Sequence, residues 1–155
     1  MTSSYGIPKF VIVGFKNTAP SVSVCDDSFI FPKVKNIKVT MGSQTYPQES
    51  LTCDVDMTTG RSRCAQAYNM YANFCWKMGN EPTMSINHFR LYDAIFCIDC
   101  SAHIEMIGNL SSNIDLYIEL VTAPAAPITA YAIIFSDARF LINTGNGRMS
   151  HITYS

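Results

Sequence analysis

One change of period constrains this chain more than any other feature. Across residues 36–79 the apolar positions recur first at every second residue and then, abruptly, at every third or fourth. Ile37, Val39 and Met41 alternate with Lys38 and Thr40, the mark of a half-buried strand, and Gly42-Ser43 supplies a turn before Thr45, Tyr46 and Pro47. This reads as a hairpin. Leu51, Cys53, Val55 and Met57 then alternate with Thr52, Asp54 and Asp56, which predicts another strand with four apolar groups on one face. Residues 58–63 have turn composition, after which Cys64, Ala67, Tyr68, Tyr71, Phe74, Cys75 and Met78 fall at helical spacing. Ser62 is the expected N-cap and Gly79 the expected C′ residue. A long amphipathic helix placed directly after strands has to lay its apolar face on a sheet, leaving Gln66, Asn69, Asn73 and Lys77 to solvent.

Strand signals surround this segment on both sides. Phe10 to Val13 is apolar at every position, so the early strand is expected to be covered on both faces, inside a sandwich or beneath a neighbouring subunit. Residues 20–32 are loop-like. After the break at Glu81-Pro82-Thr83, Ser85 is placed to cap a short helix through Tyr92, with Ile86, Phe89 and Tyr92 or Leu91 facing inward. Further strands are expected over 94–101, over 114–120, where Ile114, Leu116, Ile118 and Leu120 alternate with Asp115, Tyr117 and Glu119, and over 131–135 after Pro124-Ala125-Ala126-Pro127. A last pair, 140–143 and 148–154, flanks the turn Thr144-Gly145-Asn146-Gly147. About eight strands at turn-punctuated spacing predict an all-β fold, a single jelly-roll β-sandwich over residues 1–155 with one amphipathic and one short helix inserted between strands.

Several stretches resemble a known family. They are Pro8-Lys9-Phe10-Val11-Ile12-Val13-Gly14-Phe15, Ile37-Lys38-Val39, Tyr46-Pro47, Ala67-Tyr68-Asn69-Met70-Tyr71-Ala72-Asn73-Phe74, Phe96-Cys97-Ile98-Asp99-Cys100-Ser101 and Thr129-Ala130-Tyr131-Ala132-Ile133-Ile134-Phe135-Ser136-Asp137. In this order they resemble the second jelly roll of the double jelly-roll major capsid proteins of Polinton (Maverick) elements, adintoviruses and related large DNA viruses. The resemblance implies a structural virion protein, a capsid subunit domain that self-associates by jelly-roll packing. It also implies that three double jelly-roll subunits form one capsomer and that other capsid proteins are neighbours. Two departures matter. The family carries two jelly rolls and this chain has room for one, which leaves three readings: a fragment of a longer capsid protein, a truncated or host-resident copy, or a free-standing domain. Met41-Gly42-Ser43 also stands where the family more often has an Asn-containing turn, although Gly42 reaches positive φ at least as easily.

Composition narrows the alternatives. At 155 residues the chain is one domain long and can bury roughly 70% of its unfolded surface, so neither a disulfide nor a metal is needed to hold it. Only 15% of residues are charged and the net charge is −1, against about 25% charged in typical soluble domains. A charge-poor exterior favours association. The eleven Lys and Arg are scattered without a basic run, which argues against a dominant nucleic-acid role. The resemblance implies the virion as the location, while no stretch reaches the roughly 20 apolar residues of a membrane span and Thr2-Ser3-Ser4 lacks a secretory apolar core, so an intracellular origin is expected. There six cysteines are expected as reduced thiols in the core.

No catalytic, cofactor-binding or metal residue is predicted. Cys97 and Cys100 have CxxC spacing, but three steps along a strand point side chains to opposite faces, and no second CxxC completes a zinc site with His103. Cys100, His103 and Asp99 invite a triad reading, yet a triad is defined by geometry, and an Asp or Ser capping the turn after a strand accounts for the same residues. His88, His103 and His151 are far apart and outside any ligand motif. Gly145-Asn146-Gly147 precedes a strand and lacks the helix N-terminus of a phosphate loop; Asn109-Leu110-Ser111 has glycosylation spacing without a secretory context; Met70, Met78, Met84 and Met106 are expected as core filler. The alternative to a capsid domain is a non-catalytic β-sandwich that binds a partner or ligand. A cupin-type enzyme comes third, because it needs paired histidines that the sequence lacks.

Overall fold

β1 (Pro8–Asn17) organises the molecule because it is apolar on both faces and therefore has to be covered twice. The computed structural model describes residues 8–18, 29–56, 58–59, 61–102 and 114–136. Within them the remaining elements are β2 (Val34–Met41), β3 (Gln44–Tyr46), α1 (Ala65–Lys77), α2 (Ile86–Leu91), β4 (Ile95–Asp99), β5 (Ile114–Leu120) and β6 (Ile128–Ser136). The six strands make two antiparallel three-stranded sheets, ordered β4-β1-β6 and β3-β2-β5. Val11, Val13 and Phe15 share one buried cluster with Phe96 and Ile98 of β4 and with Val34, Ile37, Val39 and Met41 of β2. The sheets therefore face each other across a common core, in a β-sandwich.

The registers show how alternation becomes burial. Val11 lies opposite Ile98 and Val13 opposite Phe96 on the inner face, whereas Phe10 lies opposite Asp99 and Ile12 opposite Cys97 on the outer face. In the other sheet Ile37, Val39 and Met41 stand opposite Ile118, Leu116 and Ile114, so the period-two pattern of both strands falls on one inward side. The hairpin expected after β2 forms as read, with Val39 opposite Tyr46 and Gly42 at φ 59° in the turn.

Helix α1 lies against β4 and reaches both faces of its sheet. On the outer face the Phe74 ring meets Phe10 edge-on at 5.1 Å. On the inner side Tyr71 and Tyr68 contact Phe89 of α2, at 5.9 and 5.7 Å, and Phe89 contacts Phe96 at 6.1 Å. Gln66, Asn69, Asn73 and Lys77 lie on the exposed side as expected, and Trp76 joins them there. The helix ends in a Schellman arrangement: Gly79, at φ 77°, donates to Trp76 O at 3.0 Å and Asn80 to Cys75 O at 3.0 Å. Gly14, between Ile12 and Lys16 on the outer face, has no room for a side chain, since an added Cβ would stand 2.5 Å from the Phe29 ring.

Four expectations are corrected. Residues 51–56 do not form a regular strand: Leu51, Cys53 and Val55 are buried as the alternation requires, but Cys53 and Val55 pair only as isolated bridges with Val34 and Ser62, and Met57 lies outside the described residues. Ser62 is not the N-cap of α1. It is held in the bridge to Val55, two residues too early; Cys64 occupies the cap position without a side-chain cap, and the Ser62 hydroxyl accepts from Cys64 N at 3.4 Å. The short helix is capped by Ser85 as expected, whose hydroxyl accepts from His88 N at 3.2 Å, but it ends at Leu91, before Tyr92. Of its expected inward residues only Phe89 is buried, because six residues complete too few turns to point Ile86, Leu91 and Tyr92 the same way. The hairpin expected over 140–154 lies outside the described residues.

These contacts generate a graded prediction. Phe89→Ala empties a fully enclosed site among three aromatic rings and is expected to cost about 3–5 kcal/mol, read by denaturant unfolding. Tyr71→Asp buries a charge and is expected to abolish folding, whereas Asn73→Asp on the solvent side stays within about 0.5 kcal/mol of the parent.

Candidate assembly surface

β6 pairs with β1 over its whole length yet stays largely uncovered. Its alternation places Tyr131, Ile133 and Phe135 opposite Gly14, Ile12 and Phe10 on the outer face, and Ile134 opposite Val11 on the inner face. Tyr131 is 53% exposed, Ile133 58% and Phe135 40%, and Ile134 is also open. A run of β-branched and aromatic residues is what a strand buried on both sides requires. Here it forms the margin of its sheet among the described residues. Met78 and Trp76, exposed at the end of α1, add apolar area.

The surface has a rigid foundation. Phe74 of α1 is held between Phe10, at 5.1 Å, and Phe135, at 5.7 Å, both edge to face. Lys77, one turn along the helix, sits 5.2 Å over the Phe10 ring, donates to Asp99 Oδ2 at 2.6 Å and reaches Ser101 Oγ at 3.5 Å. A shallow depression of about 280 Å³ lies among Lys9, Lys77, Met78, Phe135 and Ser136, with Phe10 in its wall. Towards the other end of β1, Phe29 covers Gly14 and lies 5.5 Å beneath Lys16. The outer face is thus covered at both ends and apolar along its β6 margin.

Some of the residues weighed for chemistry have defined contacts in the structure. Asp99 caps the turn after β4: its Oδ1 accepts from Ser101 N at 2.9 Å and from Ser101 Oγ at 2.5 Å. Burial alone would raise the Asp99 pKa, but the Lys77 ammonium and the Ser101 hydroxyl and amide outweigh it and hold the carboxyl below its ordinary value. Cys97 and Cys100 are buried, and burial pushes each thiol up to about 12. His88 is exposed and its Nε2 lies 2.8 Å from Asp93 Oδ2. Met70 and Met84 pack against the core as filler, whereas Met78 is exposed. His103, Met106, His151, Asn109-Leu110-Ser111 and Gly145-Asn146-Gly147 lie outside the described residues. Among the described residues no three His, Cys, Asp or Glu are grouped as a metal site would require, and no helix is long and apolar enough to cross a membrane.

A sequence reading finds the strand at 131–135 but not its exposure, because exposure depends on which strand lies beside it. Trp76 is legible but passed over: it follows Asn73 by three residues and Asn69 by seven, on the helix face that the period leaves to solvent.

A family model described as Double jelly roll-like domain matches residues 1–140. No curated protein and no solved structure matches the chain.

The Lys77–Asp99–Ser101 cluster carries a pH prediction. A depressed folded pKa stabilises the protein above the unfolded value of about 3.9 and loses that contribution as pH falls through the lower folded value. The pair is partly exposed, 48% and 37% by side chain, so screening limits its worth to about 0.5–1 kcal/mol. Asp99→Asn is therefore expected to lower Tm by about 1–4 °C at pH 7, with the difference closing as pH falls through the lowered folded value of Asp99, in paired thermal melts taken from neutral into acid pH.

Proposed function

Because the chain belongs to the double jelly roll-like domain family, we propose that it is a structural domain of a capsid subunit, which works by packing against neighbours and turns over no substrate. The observation that carries this reading is the apolar β6 margin, Tyr131, Ile133 and Phe135, set on an aromatic foundation in a chain of which only 15% is charged. Large contiguous apolar patches are uncommon on proteins that remain monomeric. Burying such a margin contributes roughly 25 cal/mol per Å², less the entropy of association.

In this proposal residues 1–155 form one jelly roll, equivalent to the C-terminal half of a double jelly-roll subunit. The segments 8–15, 67–74 and 129–137 support placing it with the capsid proteins of Polinton (Maverick) elements, adintoviruses and related large DNA viruses. Its partners are then a second jelly roll, further copies arranged as a trimer of double jelly-roll subunits, and other capsid proteins, and its location is the virion.

The test is the solution mass of the purified chain across a concentration series, by light scattering with chromatography under reducing conditions, with negative-stain imaging of any large species. Trimers or larger particles are expected, and Ile133→Lys is expected to shift the distribution towards monomer by at least tenfold in midpoint concentration while leaving the circular dichroism spectrum unchanged. A folded chain that is monomeric at every concentration would count against self-assembly and favour an interaction or ligand-binding module.

A further inference from the structure

Two cysteines face each other at the entry to α1. The bridge between Val55 and Ser62 is flanked by two backbone bonds, Asp56 N to Arg61 O and Arg63 N to Asp54 O, each 2.9 Å. Those bonds make Val55 and Ser62 a non-hydrogen-bonded pair of an antiparallel ladder. Extended by two residues along each arm, that register would set Cys53 opposite Cys64; Cys64 already turns into the helix there, at φ −91° and ψ −1°, its Sγ lies 3.7 Å from Asp54 O, and the two thiols hydrogen-bond each other. The Cys53 backbone agrees, because its N–H and C=O are both spent on Val34 on the other side, at 2.8 and 2.9 Å. Non-hydrogen-bonded pairs bring Cα atoms to about 4.5 Å, within the range a disulfide spans.

We propose that Cys53 and Cys64 form a reversible disulfide within the folded chain, a modification site that ties the segment paired with the start of β2 to the first turn of α1.

The surroundings favour Cys64 as the attacking sulfur. It occupies the N-cap position of a 13-residue helix, where partial positive charge favours a thiolate. The Cys53 thiol, through a hydrogen bond, lowers the Cys64 pKa to about 7 against the opposing effects of burial and of the Asp54 charge, assisted by the Ser62 hydroxyl and, least, by the Arg90 charge. Its neighbour moves the other way: the hydrogen bond with Cys64, together with burial, raises Cys53. Arg90 Nε is buried and has no hydrogen-bond partner among the described residues, so its charge is not spent on a nearer acceptor through that atom. Cys75 and Cys97 also interact, but Cys97 sits deep at a strand centre with its thiol pushed up to about 12, which makes this second pair an internal control.

The oxidant is a low-molecular-weight disulfide such as oxidised glutathione. The Cys64 thiolate attacks one of its sulfurs and expels a glutathione thiolate, leaving a mixed disulfide. Cys53 gives its proton to the expelled thiolate and attacks the Cys64 sulfur, releasing the second glutathione. The two protein thiols lose two electrons and two protons, and the small disulfide gains them as two thiols. Both cysteines are fully buried, so the exchange follows local opening of this arm, which limits its rate.

The experiment uses the full chain, fully reduced and then equilibrated with graded ratios of oxidised to reduced glutathione under native conditions. Acid quenching, alkylation in denaturant and peptide mapping by mass spectrometry follow. The expected result is a Cys53–Cys64 linkage as the dominant crosslink, reversed by dithiothreitol, with Cys75 and Cys97 recovered unlinked. The linked form is expected to melt roughly 5–10 °C above the reduced form, since the bond closes a short loop in the unfolded chain. Recovery of Cys53 and Cys64 as alkylated thiols at every ratio, a persistent glutathione adduct on Cys64 without closure, a dominant Cys75–Cys97 link, or a linked form that melts no higher than the reduced one would each overturn the proposal.

Discussion

The structure depends on one constraint: β1 is a central strand with large apolar side chains on both faces, and neither face can be left to water. The opposite sheet covers Val11, Val13 and Phe15 from one side. Among the described residues no second sheet lies on the other side, and the outer face is covered by pieces, Phe74 of α1 over Phe10 and the Phe29 ring over Gly14. This is why the helix interrupts the run of strands and why it lies along β4. From there Tyr71 reaches the inner core through Phe89 while Phe74 stays outside, so one helix closes both faces at the side of the sheet that β4 forms. Removing the aromatic groups on either side would leave β1 half solvated, which is a larger loss than any one contact.

Charge plays a secondary part that follows from the same arrangement. Lys77 can reach Asp99 only because Phe74 holds the end of α1 beside Phe10, and its aliphatic stem and ammonium then complete the cover of that ring. The electrostatic gain is small at this exposure. Its effect is geometric, since Asp99 binds Lys77 and Ser101 together and so sets the direction in which the chain leaves β4. With few charges elsewhere, such pairs mark places where the backbone is steered.

What was legible in the sequence is what local chemistry decides. The switch to helical period at Cys64, the Gly79 stop and the Ser85 cap depend on residues within a turn of one another, and all three are found where the spacing puts them. The alternation at 51–57 was legible as burial but misleading as a strand: Leu51, Cys53 and Val55 point inward because they cross beneath the helix entry, and the ladder partners that would make them a strand are limited to Val34 and Ser62. Ser62 fits a cap by composition, but its backbone is already committed to that ladder. Ile86, Leu91 and Tyr92 look inward-facing only if the short helix is given a length it does not have. The apolar β6 margin was legible as a strong strand and no further, since nothing local tells Ile133 apart from Ile12, which lies opposite it and is partly buried.

The same comparison bears on why β6 has the composition it has. If stability of the isolated chain had been the only demand, the outward positions Tyr131, Ile133 and Phe135 would be served as well by Thr, Lys or Gln, which keep strand geometry and add solubility. Phe135 does contribute internally, by closing the stack on Phe74. Among the described residues Tyr131 and Ile133 have no aromatic or core role of that size, and Ile134 is open on the opposite face as well. An apolar strand open on both faces costs solubility and exposes the chain to unwanted pairing, a cost that a covering neighbour would remove under the proposed function. The rigid Phe10–Phe74–Phe135 stack beneath would let such a neighbour dock without first ordering the surface, reducing the entropic cost that otherwise offsets burial.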